Sequence, residues 1–167
     1  DYKTAESLVH DLIDIVSKNG TLLLNIGPRA DGTIPEREEQ ILLEIGRWLA
    51  VNSEAIYATR PWKIFGEGPT EVPEGNITEA KRQAFSARDI RFTTKGETLY
   101  VILLGWPEGG EAIVQSLSSD QAFYPEQIGR VSMLGSTEKI TWTREKKGLK
   151  VKLPLQNPGI AAFVLKI

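Results

Sequence analysis

Cysteine is absent from this sequence of 167 residues, and histidine occurs once, at His10. Without cysteine there is no disulfide framework, no thiolate nucleophile and no thiolate metal site. A single histidine leaves zinc without a ligand set. A serine–histidine pair would have to use His10, and no motif around that residue supports one. Charge excess is lacking too. The 20 basic and 22 acidic residues leave a net charge of −2, whereas nucleic-acid or membrane-surface binding calls for clustered Lys and Arg. No apolar run is long enough to span a bilayer. No basic start followed by an apolar run marks a signal peptide. Gly27 and Gly32 do not have the spacing of a dinucleotide loop or a phosphate-binding loop. Internal repeats and low-complexity tracts are missing as well.

What remains is an ordinary globular composition, 41% apolar, with enough hydrophobic material for a real core. The first residues, Asp1-Tyr2-Lys3-Thr4, carry no strand or turn pattern, and we read the start as a cut inside a longer chain. Two regions differ in period. In residues 1–60, Leu8, Leu12 and Ile15 recur at helical spacing, and Val9, Ile13 and Val16 widen the stripe. Asn19-Gly20 is a helix stop, with Gly20 expected to take the left-handed conformation. Thr21-Leu22-Leu23-Leu24-Asn25-Ile26 is a nearly continuous apolar run, the pattern of a parallel strand buried on both faces. After the loop Gly27–Gly32, Thr33 and Glu36 have capping-box spacing at the head of a second helix. Ile41, Leu42, Ile45, Trp48 and Leu49 form its apolar face. Helix, strand, loop and helix make one unit of an α/β fold. A lone parallel strand has no ladder neighbours, so these are expected to be encoded before Asp1.

Residues 61–84 read as a linker, broken by Pro61, Gly66, Gly68, Pro69, Pro73 and Gly75. Beyond it the period becomes two. Strands are expected at 88–93, 98–106, 111–117, 139–144, 149–154 and 160–166, separated mostly by glycine-containing turns. The expected architecture is therefore multi-domain. Residues 1–60 are the last strand and helices of a (β/α) barrel, and residues 85–167 are an antiparallel β-sandwich.

Ligands of parallel α/β folds sit beyond the carboxyl ends of the strands, which points to Asn25 through Gly32. Asn25 interrupts an apolar run, and a buried amide must be hydrogen-bonded. It either positions substrate or ties the loop to an adjacent strand. Asp31 precedes Gly32 and has the signature of a turn residue, and Arg29 that of a solvated loop charge. Glu38-Glu39 belongs to a charged helix face. Trp62, Trp106 and Trp142 have the chemistry to stack on sugar rings, although tryptophans are commonly core anchors.

The run Lys18-Asn19-Gly20-Thr21-Leu22-Leu23-Leu24-Asn25-Ile26-Gly27-Pro28 resembles the α-L-fucosidases of glycoside hydrolase family 29. The likeness continues through residues 31–35, 44–49, 52–57, 59–62, 67–70 and 90–93, and through Leu99-Tyr100-Val101 to Trp106-Pro107. Thr21 stands where the family usually has Asn, and Ser53 and Ala58 where it usually has Gly. The resemblance implies a (β/α) barrel followed by a β-sandwich, and hydrolysis of terminal α-L-fucose with retention of configuration. It also implies an Asp nucleophile and a Glu acid/base upstream of Asp1, so neither role falls on a residue of this chain. Asn25 is the candidate substrate-binding residue. Neither motifs nor resemblance call for a cofactor or a metal. The partners implied are a fucosylated oligosaccharide or glycoconjugate and the upstream barrel of the same protein, with no nucleic acid and no membrane. The resemblance suggests a secreted, periplasmic or lysosomal setting. A non-catalytic carbohydrate-binding module, or a purely structural sandwich, is the alternative.

Overall fold

The structure is a computed structural model that describes residues 2–72, 83–120 and 123–167. Helix α1 spans Ala5–Ser17 and α2 spans Glu36–Asn52. The Thr4 hydroxyl oxygen caps α1 by accepting from the Ser7 N–H at 3.1 Å. At the other end the Gly20 N–H donates to the Ile15 carbonyl and the Asn19 N–H to that of Val16, the paired bonds of a Schellman stop. It is Asn19, at φ 66°, that turns left-handed, and not Gly20. Asparagine tolerates that region. Gly20 is needed for room: a Cβ there would lie 2.7 Å from Ile15 Cγ2.

The expected capping box is not formed. Pro35 occupies the N-cap of α2 and makes no side-chain cap. The Thr33 hydroxyl is already committed to Asp31 Oδ1, at 2.7 Å.

Among the described residues the strands make two antiparallel sheets. The larger has five strands in the order β1 (Arg60–Glu67), β2 (Ile90–Lys95), β3 (Thr98–Leu103), β8 (Phe163–Lys166) and β5 (Ser132–Met133). The smaller orders β4 (Glu111–Val114), β7 (Gly148–Lys152) and β6 (Thr141–Glu145). The sequence correctly placed most of these strands. It missed β5, and it read the residues of β1 as linker. As a strand at the sheet edge, β1 tolerates Pro61. Gly66 sits where its register with β2 shifts, and a Cβ there would meet the Ile90 carbonyl oxygen at 2.4 Å. Residues 73–82 of the expected linker lie outside the described residues.

Three layers result: helices, large sheet, small sheet. Between the sheets lies a core that includes Phe92, Leu99, Val101, Leu103, Val114, Leu149, Val151 and Leu165. Between the large sheet and the helices lies a second, with Val9, Ile13 and Trp48 against Tyr100, Ile102, Leu104 and Val164. Strand β3 alternates its side chains between the two cores. That explains why Leu99–Leu104 is apolar without a break instead of alternating. Each fully buried Leu, Val or Phe contributes about 1.5–3 kcal/mol.

Thr21–Ile26 departs from expectation. It is not a strand, and it pairs with none of the described residues. Leu23 is 93% exposed and Leu24 is exposed as well. A strand requires a ladder neighbour, and neither sheet of the described residues includes this segment. Within the described residues the helices therefore cover an antiparallel sheet, and no barrel is formed.

Candidate functional site

Asn25, expected to be buried and hydrogen-bonded, is exposed. The burial inference fails because it assumed strand neighbours on both sides. Asn25 lies in a shallow, largely apolar groove with Leu24 and Ile26, against Leu8 of α1 and Ile41 and Leu42 of α2. The next N–H, that of Gly27, donates to Glu38 Oε2 at 2.8 Å and pins the loop to α2.

Asp31 is a turn residue, as its Asp-Gly context suggests. Its Oδ1 accepts from the Thr33 hydroxyl at 2.7 Å and from the Thr33 N–H at 3.0 Å. These bonds, the hydroxyl first, hold its carboxyl below the usual range. Arg29 closes the same loop through Thr33 and the Ile34 carbonyl. Asn25 and the 29–33 turn thus share one loop at the head of α2 without converging on a common point.

The buried polar groups that sequence reasoning did not single out are connectors. Asp14 of α1 accepts from Arg91 Nε of β2 at 2.6 Å and from Lys18 at 2.9 Å. The Arg91 guanidinium also lies over the rings of Phe65 and Phe85. The available signal was an arginine flanked by Ile90 and Phe92 in a buried strand. Asp89, fully buried, takes N–H and hydroxyl bonds from both Ser86 and Thr70. Burial raises its pKa, but the four hydrogen bonds outweigh that and leave it below the ordinary value. Glu67, at the end of β1, accepts from the N–H groups of Gln115 and Ser116 and from the Ser116 hydroxyl, across to the end of β4. Arg144 of β6 donates to the carbonyls of Leu117, Ser118, Tyr124 and Glu126.

His10 is likewise structural. Its Nε2 lies 2.9 Å from the Ala161 carbonyl oxygen, which fixes the proton on that nitrogen. Trp48 Nε1 donates to the next carbonyl, Ala162, at 2.8 Å. Trp48 is buried as expected, while Ile45 and Trp62 are half-buried. Trp62, Trp106 and Trp142 all pack against the inter-sheet core, Trp62 on Phe92 and Trp106 edge-on to Phe163. Among the described residues no three His, Asp or Glu side chains converge as metal ligands. No described helix is long and apolar enough to cross a membrane.

Two family sequence models match. "Alpha-L-fucosidase" covers residues 1–54, and "Alpha-L-fucosidase C-terminal domain" covers residues 83–167. Rat plasma alpha-L-fucosidase is 36% identical over 162 residues, 92% of this chain and 29% of the relative. Rat tissue alpha-L-fucosidase is 32% identical over 165 residues, 96% of this chain and 31% of the relative. The crystal structure of Thermotoga maritima alpha-fucosidase in complex with fucose superposes with a TM-score of 0.75 at 31% identity. That match covers 98% of this chain and 34% of the other. Residues 83–167, which hold most of the antiparallel sheets, thus match the C-terminal domain of a larger class of protein, both helices lie in the part matched by the other model, and the chain spans about a third of the length of the relatives it matches. It belongs to the α-L-fucosidase family.

Proposed function

We propose that this chain is the C-terminal part of a retaining α-L-fucosidase that removes terminal α-L-fucose from glycans, and that its own work is to complete and brace the catalytic barrel. In this reading residues 1–60 are the end of the barrel and residues 85–167 the supporting sandwich. The observation that carries it is Thr21–Ile26. An apolar segment with Leu23 93% exposed lies between two helices and has no ladder partner among the described residues. Barrel strands encoded elsewhere in the protein would pair with it and cover Leu23 and Leu24. Asn25 would then stand at the carboxyl end of a barrel strand, where substrates are bound.

Retaining hydrolysis uses two carboxyl groups about 5–5.5 Å apart across the scissile bond. In this chain Asp14, Asp31, Asp89 and Glu67 are each occupied by structural hydrogen bonds. The family resemblance implies that the nucleophile and the acid/base lie upstream of Asp1, and the structural commitments of these four carboxylates are compatible with that reading. The substrate partner is a fucosylated oligosaccharide or glycoconjugate.

The test compares these 167 residues with the longer protein on an aryl α-L-fucoside. The longer protein should turn over and release the α-anomer, read by NMR, while the segment alone stays inactive. Turnover by the segment alone, or β-fucose as first product, would sink the reading. The three candidate sugar-stacking indoles pack on the inter-sheet core, so nothing favours the sandwich as an independent sugar-binding module.

A further inference from the structure

Five asparagines stand in this sequence, and one of them, Asn19, is followed by glycine. Asparagine is thermolabile where the next backbone nitrogen can reach its side-chain carbonyl carbon. That nitrogen must carry a proton to lose, and its residue must be small enough to come close. Asn157 precedes Pro158, which has no N–H. Asn25 and Asn76 precede isoleucine, whose branched side chain obstructs the approach. Asn52 is buried at the end of α2, and its Nδ2 donates to the Trp48 carbonyl at 3.1 Å. Asn19 is exposed, and its side-chain amide has no hydrogen-bond partner among the described residues. Asp31 also precedes a glycine, but its carboxylate is tied to Thr33 and held ionised, which makes it a poor electrophile.

The fold restrains the reacting atoms at Asn19. This residue takes φ 66°, the left-handed turn that ends α1. The Gly20 N–H donates to the Ile15 carbonyl at 2.8 Å, and the Asn19 N–H to that of Val16 at 3.0 Å. While the first bond stands, the proton that must leave the Gly20 nitrogen is engaged. Attack therefore waits on local opening of the last turn, which is the kind of event that frays helix ends.

We propose that Asn19 is a site of spontaneous deamidation, gated by the opening of the α1 stop, and that its product loosens that stop. In the open turn, base removes the Gly20 amide proton and the nitrogen attacks Asn19 Cγ. The new N–Cγ bond closes a succinimide, the Cγ–Nδ2 bond breaks, and ammonia leaves. Water then opens the ring at either carbonyl, giving aspartate or isoaspartate at position 19 without any oxidant or reductant. Either product puts a negative charge at the C-terminus of α1, where the macrodipole opposes it. It also stands next to Lys18, which pairs with Asp14 at 2.9 Å. Isoaspartate in addition inserts a methylene into the main chain between the two N–H groups that form the stop. None of this depends on the fucosidase reading.

The test incubates the longer protein at mildly alkaline pH, natively and in urea, beside a synthetic peptide of residues 15–24. Peptide mass mapping locates the conversion, and an isoaspartyl methyltransferase with labelled S-adenosylmethionine reports the isoaspartate. Asn19 should convert before any other asparagine, at least about tenfold more slowly in the native protein than in urea. Asn19→Gly, which keeps the left-handed turn, should abolish the signal. The proposal is overturned by an intact native Asn19 after many peptide half-lives, by equal native and urea rates, or by earlier conversion at another asparagine. Asn19→Asp makes one product outright and should speed amide exchange at Gly20 about 2- to 5-fold. Unchanged exchange there overturns the loosening.

Discussion

Ala58 and Ala161 hold φ of 58° and 66°, where a Cβ crowds the following carbonyl. The family resemblance places glycine at the first of these, and the backbone supplies the reason. Ala58→Gly should stabilise the protein by about 0.5–1 kcal/mol, the relief of roughly 1–2 kcal/mol of strain less the extra freedom glycine has when unfolded. Urea unfolding should show a higher midpoint at unchanged slope. Asp14 and Arg91 have side chains only 6% and 3% exposed. Asp14→Ala strands the guanidinium beneath α1 and should cost about 3–5 kcal/mol, read by the same titration. Asp89 supplies a pH signature. Its folded pKa lies below the ordinary 3.8, so its contribution is complete above that value and is lost as pH falls through the folded pKa. In Asp89→Asn the acid limb of stability against pH should be shallower, with no change in slope above pH about 5. Equal acid slopes in the two proteins would show that Asp89 is not responsible.

At the scale of elements, the helices were readable from their stripes, because the residues that repeat at helical spacing are those that meet the large sheet. Most strands were readable from turns. What failed did so for local reasons. β1 was hidden because Pro61 and Gly66 are breakers inside a sheet but acceptable at a bulged edge. The capping box failed because Thr33 had a nearer partner in Asp31. Asn25 is exposed in this chain because an apolar run says that burial is wanted, not which surface provides it. Leu23 tests this directly. In the 167-residue segment Leu23→Lys should reduce self-association, measured by light scattering, since it removes an exposed apolar side chain. In the longer protein the same change should lower Tm by several degrees, because the position is then covered.

For the whole molecule, β3 and β8 are the strands common to both cores. Amide exchange should be slowest in β2, β3 and β8 and fast across residues 20–29 of the segment, with the latter becoming protected in the longer protein. Uniformly fast exchange at 20–29 in the longer protein would contradict its burial there.

The clamps of His10 and Trp48 on consecutive carbonyls join residues 151 and 114 positions apart in the chain. A backbone nick between Val72 and Gln83 would therefore yield two pieces with a large complementary face each. Co-expressed, such halves should find one another without a covalent link, so this part of the polypeptide lends itself to a split reporter.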